Sequence, residues 1–421
     1  MRILVLSNVP WDDRNSLGNT ISNWFYGWKN TEFYCIYCRS TMPNNHVCQM
    51  HYTVPPLSLM KNMLCPSKTG LLIDTNKEFY PPSSTQETSF ITKAQQGKKE
   101  WMYLLSDLAY ATGVWKSSEY KQFIAMANPD IVFSFGIADA FIYENYRYIK
   151  KYTKAKIVTF LADDTYGAYL EGKKIRNKLQ LRRFRKMMQM SDLLYGASEI
   201  MCNVYQEKFD RPITPLYKGC TFHPVKVRNN KPLRIVYAGN LLWGRDEILG
   251  ILASELELLN RNEINASLEI YTGSFITSEI ETKLNRGQSS RIMGRRSYEE
   301  IESILHEADI VLHVESFNPS TINIVRYSFS TKIIDCLQSG SALMVIGPAG
   351  IASVEYVRAI PGSIIVDNLS QIKTSIKTIV ENPHQLIERS KEINSFAKKH
   401  HDIVSVRERI KCDFMNLLNG E

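Results

Sequence analysis

The sequence SFSTKIIDCLQSGSALMVIGP, residues 328–348, joins a short helical pattern to a buried strand. Apolar residues recur at three- and four-residue steps over about 330–338, which predicts a helix with Ser330 or Thr331 at its start. Gly340 ends this helix, and the apolar run that follows is typical of a strand buried on both faces. The stretch therefore predicts part of a parallel α/β sheet.

The start of the predicted helix carries groups that bind anions and sugars. The backbone N–H groups at Ser330 and Thr331 and the helix dipole favour an anion, and Lys332 adds a full positive charge. Asp335, one turn further on, offers a carboxylate to sugar hydroxyls. Phosphate and polyol together are the chemistry of a nucleotide sugar. Taken alone, the same residues also fit an ordinary helix cap and a solvated aspartate.

Short apolar segments alternate with helical patterns along most of the 421 residues, on both sides of a proline-containing linker at about 209–231. Parallel strands joined by helices form a doubly wound sheet. The predicted strands before the linker are 2–7, 33–37, 129–136, 156–164 and the start of 191–201, and those after it are 233–240, 267–273, 290–296, 309–314, 341–347 and 362–367. We therefore predict an α/β protein with two Rossmann-like domains, 1–215 and 232–400.

Residues 328–348 resemble the donor-binding helix of glycosyltransferase family 4, whose members are retaining enzymes with the GT-B fold. Phe329 matches the phenylalanine of the family, and Asp335 stands where the family has its second glutamate. Tyr327 replaces the first glutamate, which contacts the transferred sugar in the family. The resemblance makes Tyr327 a candidate sugar contact.

Residues 237–249, YAGNLLWGRDEIL, resemble the strand, glycine loop and helix that bind the donor phosphates in this family. Arg245 stands in the place of the phosphate-binding lysine, and Gly239 and Asn240 lie in the loop, where Asn240 replaces an arginine. Under this resemblance Arg245 and Lys332 are the catalytic cations, and Lys332 takes the role of the replaced arginine.

Residues 291–316 resemble the segment that packs on the nucleobase, which the resemblance places around Met293, Gly294 and Arg295. Glu315 follows the next strand. It either replaces the missing sugar-binding glutamate or is a loop residue.

The resemblance implies two domains facing each other across a cleft, with the final helix, 401–421, crossing back to the N-terminal domain. It implies transfer of a sugar from a nucleotide-diphosphate sugar to a glycan or lipid-linked polysaccharide precursor, with retention and without a metal or other cofactor. No protein nucleophile is required. Two alternatives remain open, namely a GT-B nucleotide-sugar epimerase and a non-catalytic partner that binds nucleotide sugar.

The N-terminal half carries weaker signals for an acceptor site. A G-x-G-x-x-G fingerprint is absent after the first strand, where a single-glycine turn, Gly18, Asn19 and Thr20, stands at the start of a helix predicted from about Gly18 to Trp28. Asp163 and Asp164 end a predicted strand at the sheet edge where open α/β proteins bind ligands. They either bind an acceptor hydroxyl or cap a turn.

The net charge of +8 is compatible with binding to nucleic acid or to an anionic membrane. Residues 172–191 contain eight Lys or Arg and no acid, and four of them share one helical stripe with apolar residues nearby. Such a helix either rests on anionic lipid headgroups or is a solvated face. No recognition motif accompanies the charge, so we expect no nucleic-acid partner.

The first apolar run is cut off by Pro10, and no later segment has the length of a membrane span, so we expect a cytoplasmic protein, at the inner face of the membrane if the basic helix binds lipid. Its cysteines are then reduced thiols. Cys35 and Cys38, with His46, Cys48 and His51, have the spacing of a zinc site, but strand geometry points the first two to opposite faces, and we expect no metal. Residues 66–99 are predicted to be an irregular insertion.

Overall fold

A computed structural model of the chain describes residues 1–56, 58–59, 69–76, 100–172, 174–226 and 231–420. The chain divides into two compact units. The first comprises Met1–Leu216 and Arg407–Glu421, and the second comprises Tyr217–Val406.

The first unit contains an eight-stranded sheet in the order β4-β3-β2-β1-β5-β6-β7-β8. Its strands are parallel except β4, which runs antiparallel to β3 at the edge. The strands are β1 Arg2–Leu6, β2 Glu32–Tyr37, β3 Met50–Thr53, β4 Leu71–Asp74, β5 Ile131–Phe135, β6 Lys156–Leu161, β7 Leu193–Gly196 and β8 Thr214–Pro215. The central strands are buried along nearly their whole length, which explains their continuous apolar runs.

Helices connect these strands and cover the sheet. They are α1 Ser16–Phe25, α2 Glu100–Ala111, α3 Ser118–Ala127, α4 Ala140–Tyr152, α5 Thr165–Glu171, α6 Ile175–Met190 and α7 Glu199–Phe209. Ser198 caps α7 by accepting a hydrogen bond from the Met201 N–H at 3.1 Å.

The second unit contains a six-stranded sheet in the order β11-β10-β9-β12-β13-β14, and all of its strand pairs are parallel. The strands are β9 Leu233–Ala238, β10 Ala266–Tyr271, β11 Ser290–Gly294, β12 Ile310–Val314, β13 Ala342–Ile346 and β14 Ile364–Val366. All six strands predicted after the linker are confirmed, and together they form a doubly wound sheet.

Apolar side chains pack in two clusters in this unit, one containing Leu252 and Leu312 and the other containing Leu337 and Val345. The helices are α8 Arg245–Leu259, α9 Ser278–Leu284, α10 Tyr298–Glu307, α11 Pro319–Val325, α12 Lys332–Gln338, α13 Ala352–Arg358, α14 Ile372–Glu381, α15 Gln385–His401 and α16 Ile403–Asn419, and a 3₁₀ turn spans Leu369–Gln371. Helix α16 continues beyond Val406 into the first unit.

The helix predicted over 330–338 begins at Lys332 and ends at Gln338. Thr331 stands at its N-cap position, but its side chain makes no capping hydrogen bond, so a serine or threonine cap is not formed here. Gly340 has a φ of +72°, and a Cβ there would lie 2.9 Å from the carbonyl oxygens of His223 and Pro224. Glycine at this position therefore allows the end of the helix to approach the backbone of residues 223–224 closely.

The predicted linker at about 209–231 and the predicted irregular insertion at 66–99 both contain regular or packed structure. Residues 214–215 form β8 in the first unit, and residues 217–226 belong to the second unit, so most of the linker is packed structure. Of the predicted insertion at 66–99, residues 69–76 contain β4, and the remainder lies outside the described residues.

The C-terminal part of α16 packs within the first unit. Ile410 and Phe414 are fully buried, and the Phe414 ring lies 6.2 Å from that of Phe25. Arg407 Nε donates a hydrogen bond to the Asn23 carbonyl at 2.7 Å.

The basic stretch at 172–191 forms α6, whose face of Lys174, Lys178, Arg182 and Arg185 is exposed. Phe184 and Met188, two of the apolar residues near this stripe, are buried in the unit. No helix among the described residues combines the length and the apolar composition that crossing a bilayer requires.

Candidate active site

A cavity of about 190 Å³ lies at the carboxyl ends of strands β9, β10 and β12 in the second unit. The chain proceeds outward in opposite directions from the neighbouring strands β9 and β12, and open α/β sheets bind ligands at such a switch point. Polar groups in its wall include Gly239, Thr272, Arg295, Arg296, Lys332 and Asp335. Four of the predicted donor-site residues, namely Gly239, Arg295, Lys332 and Asp335, are therefore brought together.

Lys332 lies at the first position of α12 and contributes to the cavity wall. Burial, together with the charge of Arg245, lowers the pKa of its ammonium group to about 8. A Cβ on Gly239 would lie 2.7 Å from the Tyr237 hydroxyl and 3.1 Å from Lys332 Cε. Glycine at 239 therefore leaves the space that the lysine side chain occupies.

Arg245 begins α8 and is held by three acceptors. Its Nη2 lies 3.2 Å from both carboxylate oxygens of Glu315, its Nη1 donates to Asn240 Oδ1 at 2.7 Å, and its Nε donates to the Val314 carbonyl at 3.2 Å. Arg245 and Asn240 thus contact each other, whereas neither lines the cavity. Most of the guanidinium donors are already used within the unit.

Glu315 is 2% exposed and also contacts His313, whose Nε2 lies 2.9 Å from Oε1. Burial raises the pKa of Glu315, but the His313 hydrogen bond and the charge of Arg245 outweigh it and hold the pKa below its ordinary value. The carboxylate is therefore ionised and paired. Glu315 lies in the loop that follows β12, as one of the two alternatives predicted, and it binds Arg245 there. A sugar contact stays a prediction.

Asp335 contacts two side chains that the sequence did not single out. Lys218 Nζ lies 3.4 Å from Asp335 Oδ1, and the Tyr298 hydroxyl lies 3.5 Å from the same oxygen. Burial raises the pKa of Asp335, and the charges of Lys218 and Lys332 offset only part of this effect. Asp335 is half-buried and paired with Lys218, so the alternative of a fully solvated helix residue does not describe it.

Sequence reasoning missed Lys218 because it lies in the predicted linker, where no periodic pattern indicates packing. The position of Tyr298 could have been inferred from the sequence. It follows Ser297, which forms a capping box with Glu300 at the start of α10, directly after β11. That placement puts Tyr298 near the carboxyl edge of the sheet.

Ser330 and Thr331 were predicted to offer backbone N–H groups to an anion. The Ser330 N–H donates to Ser353 Oγ at 3.0 Å, so this group is already used. The chain from Ser330 to Ile333 forms a tight turn, in which the Ile333 N–H donates a hydrogen bond to the Ser330 carbonyl at 3.0 Å. Tyr327 carries the Arg326 guanidinium over its ring at 4.4 Å and is not part of the cavity wall.

The predicted nucleobase segment lies at the end of β11. Met293 packs against the apolar cluster of the unit, Gly294 has a φ of +75°, and its carbonyl accepts a hydrogen bond from the Thr272 N–H at 3.0 Å. Arg295 then enters the cavity wall. Of the three predicted residues, only Arg295 lines the cavity.

The first predicted acceptor-side pair lies within a helix. Gly18 and Asn19 belong to the first turn of α1, so the helix predicted from about Gly18 is present but begins two residues earlier, at Ser16. Asn15 caps α1 by accepting a hydrogen bond from the Gly18 N–H at 2.8 Å, which moves the helix start earlier in the chain. A Cβ on Gly18 would lie 2.1 Å from the Asp12 carbonyl oxygen, so the glycine permits this close packing.

The second predicted pair follows β6. Asp164 is the N-cap of α5, accepting hydrogen bonds from the Gly167 N–H at 2.8 Å and the Tyr205 hydroxyl at 2.6 Å. It is buried and has the structural role that the capping alternative described. Asp163 is exposed beside it. Both lie in the first unit, at the carboxyl edge of its sheet.

Among the described residues, no group of three or more His, Cys, Asp or Glu side chains is arranged to hold a metal ion. His51 Nε2 lies 3.0 Å from the Cys48 carbonyl. Burial raises the pKa of Cys35 to about 12 and lowers that of His51 to about 4, so the thiol is protonated and the imidazole neutral.

No protein-family model matches the sequence, and no curated protein matches it. Solved structures are similar over the whole chain. Sucrose-phosphate synthase from Thermosynechococcus elongatus has a TM-score of 0.66 at 8% identity, with 100% of both chains covered. HepE from Anabaena in complex with UDP has a TM-score of 0.65 at 11% identity, covering 99% of this chain and 100% of that chain.

An α,α-trehalose-phosphate synthase (UDP-forming) from Burkholderia xenovorans has a TM-score of 0.58 at 10% identity, covering 99% of this chain and 100% of that chain. These proteins are GT-B glycosyltransferases. The similarity shows that this chain has the GT-B fold, so the predicted fold class is confirmed. Membership of family 4 stays a prediction.

Proposed function

We propose that the protein is a glycosyltransferase that takes a sugar from a nucleotide-diphosphate sugar. The observation that carries the proposal is the cavity at the switch point of the second unit, where Lys332 and Arg295 supply positive charge and Asp335 a carboxylate. A diphosphate needs cations, and a ribose needs a hydrogen-bond acceptor. The solved structures of HepE with UDP and with UDP-glucose support this choice of donor.

Cleavage of the bond between the anomeric carbon and the diphosphate oxygen leaves negative charge on the diphosphate. Lys332 stabilises this charge as it develops, and Arg245 fixes the surrounding loop and adds to the positive potential. The proposed reaction proceeds with retention, with the leaving and attacking groups on one face of the sugar. These cations supply the charge for which other transferases use a metal, and no protein nucleophile takes part.

We propose a glycan or a lipid-linked polysaccharide precursor as the acceptor, bound by the first unit near Gly18, Asn19, Asp163 and Asp164. The exposed basic face of α6, within residues 172–191, supports contact with anionic lipid. A lipid-linked acceptor would place the protein at the cytoplasmic face of the membrane.

The proposal is tested first by ligand binding. A ligand that binds only the native state raises its melting temperature, so UDP, GDP and ADP are compared by thermal unfolding of the purified chain. We expect one of them to stabilise the wild-type protein and to stabilise a Lys332→Ala variant less. Absence of stabilisation by all three contradicts a nucleotide-sugar site.

Activity is then measured with the sugar conjugates of the stabilising nucleotide. Slow release of free sugar without acceptor indicates a transferase. Conversion to an epimeric nucleotide sugar indicates an epimerase, and binding without either reaction indicates a non-catalytic partner.

A further inference from the structure

A second concave surface lies in the first unit, away from the residues discussed so far. It has a volume of about 580 Å³ and is formed by the connection between α2 and α3, by α3, by the C-terminal half of α4 and by the end of α6. We call it the basic groove. Five cations line it, namely Lys116, Lys121, Arg147, Lys150 and Lys151.

One segment that lines the groove is rich in basic residues and contains two tyrosines. Residues 147–156, RYIKKYTKAK, contain five Lys or Arg and no acid. Such a segment at the end of a helix concentrates positive charge at one place on the surface.

Part of this charge is compensated. Glu144 pairs with Lys116 at 2.7 Å and with Arg147 at 2.8 Å, and Asp192 pairs with Lys150 at 2.5 Å. Lys121 and Lys151 make no ion pair within the part of the chain that the structure describes. The groove therefore retains positive charge that an anionic ligand would neutralise.

Two tyrosines add a stacking surface. The rings of Tyr148 and Tyr152 lie 4.7 Å apart at 40°, and Lys151 Nζ lies 5.0 Å from the centre of the Tyr152 ring. Tyr152 is 60% exposed. An exposed aromatic ring beside an ammonium group that has no ion-pair partner suits a ligand whose building blocks each have an apolar face and a negative charge.

The groove lies at the end of the sheet opposite the predicted acceptor residues. Tyr152 ends α4 just before the start of β6, and Met190 ends α6 just before the start of β7. Asp163 follows the end of β6. A strand of this length spans about 20 Å, so a ligand reaching both places must be a chain of several units.

We propose that the basic groove binds an anionic oligosaccharide, a segment of the acceptor chain remote from its reacting end. The acceptor role rests on the proposed function, whereas binding to the groove does not. Sugar rings stack on the tyrosines, and their carboxylates pair with Lys121 and Lys151. The two uncompensated lysines provide charge for carboxylates on the sugar chain, and nucleic acid, which carries a phosphate at every nucleotide, is the alternative that the test below distinguishes. A concave groove also fits a chain better than a flat membrane.

The test uses calorimetric titration of the full chain with hexagalacturonate, with neutral maltohexaose of the same length, and with a thymidine oligonucleotide of the same charge as hexagalacturonate. We expect hexagalacturonate to bind, with affinity that falls as salt increases, maltohexaose not to bind detectably and the oligonucleotide to bind more weakly.

Two variants locate the binding. Lys121→Ala combined with Lys151→Ala is expected to weaken hexagalacturonate binding at least about fivefold, and Tyr152→Ala about two- to tenfold. The control combines Lys29→Ala with Lys411→Ala, which removes the same charge from exposed positions elsewhere in the unit and should leave the affinity unchanged. Thermal unfolding confirms that each variant is folded.

Equal weakening by the control, equal or tighter binding of the oligonucleotide, or no hexagalacturonate binding overturns the proposal. Binding of a nucleoside diphosphate to the same preparation is measured separately. If the nucleoside diphosphate does not bind, the proposed function is contradicted and the proposal for the basic groove is unaffected. If it binds and hexagalacturonate does not, only the proposal for the basic groove is overturned.

Discussion

Arg245 and Glu315 form a buried ion pair in the second unit, with the arginine Nη2 3.2 Å from both carboxylate oxygens. The two residues are 8% and 2% exposed. Since the arginine also bonds Asn240 and the Val314 carbonyl, it connects the loop after β9 to the end of β12. The pair thus adds a side-chain link beside the backbone pairing of β9 and β12. Burial lowers the pKa of Lys332, the charge of Arg245 lowers it further, and the charge of Glu315 opposes that effect.

Removing the carboxylate is expected to destabilise the second unit. Glu315→Ala leaves the guanidinium of Arg245 buried without its counter-charge, and breaking a buried pair in this way costs about 3–5 kcal/mol. Urea unfolding, followed by tryptophan fluorescence and circular dichroism, measures the loss.

The matched control for this variant is Glu388→Ala. Glu388 pairs with Lys391 at 2.7 Å, but both side chains are mostly exposed, so the expected loss is below about 1 kcal/mol. Equal losses in the two variants would show that the Arg245–Glu315 pair does not stabilise the unit more than a surface pair does.

Lys332→Ala is expected to lower the turnover of the donor about ten- to a thousandfold, because it removes the ammonium group that stabilises the leaving diphosphate. Initial rates of sugar release or transfer provide the measurement. Lys373→Ala, an exposed lysine of the same unit, is the control for loss of charge. A Lys332→Ala variant that keeps the wild-type rate would remove this lysine from the mechanism.

Donor binding is expected to depend on pH through the same lysine. Its pKa of about 8 means that the ammonium group loses its proton as the pH rises above 8, whereas an ordinary lysine stays charged to above pH 10. The affinity for a nucleoside diphosphate should therefore fall between about pH 8 and pH 10. Bound diphosphate favours the charged form, so binding in this range takes up a proton.

Lys332→Arg separates this effect from general changes with pH, because an arginine remains charged throughout the range. We expect the pH dependence above pH 8 to disappear in this variant, as measured by calorimetry in buffers of different ionisation enthalpy. Persistence of the same fall in affinity would assign it to another group.

The fold could be predicted from the sequence because parallel strands buried on both faces have a recognisable apolar run. The runs at 233–240 and 309–314, for example, became β9 and β12. Helix starts were harder to place. Gly18 suggested a turn, whereas Asn15 captures the Gly18 N–H and begins the helix earlier. Local polar side chains that compete for backbone groups decide such boundaries.

The candidate site could be predicted only in part. Lys332 and Asp335 were predicted because they lie on one short helix with a clear pattern. The partner of Asp335, Lys218, is 117 positions away, and the role of Glu315 depends on how β12 lies beside α8. Such pairs arise from the packing of elements distant in the sequence, which no local pattern specifies.

Asp335→Asn is expected to weaken binding of a nucleoside diphosphate about ten- to a hundredfold, because the carboxylate is the acceptor proposed for the ribose hydroxyls and hydrogen bonds to charged groups contribute about 1.5–3 kcal/mol. Inorganic pyrophosphate has no ribose, so its affinity should change little. Asp246→Asn breaks a comparable ion pair with Lys283, at 2.7 Å, whose residues do not line the cavity, and should leave both affinities unchanged. If Asp335→Asn weakens pyrophosphate as much as nucleotide, the carboxylate acts by positioning Lys332 and Lys218 and does not contact the ribose. Calorimetric titration of the nucleoside diphosphate and of pyrophosphate into both variants therefore decides whether Asp335 contacts the ribose or only positions the two lysines.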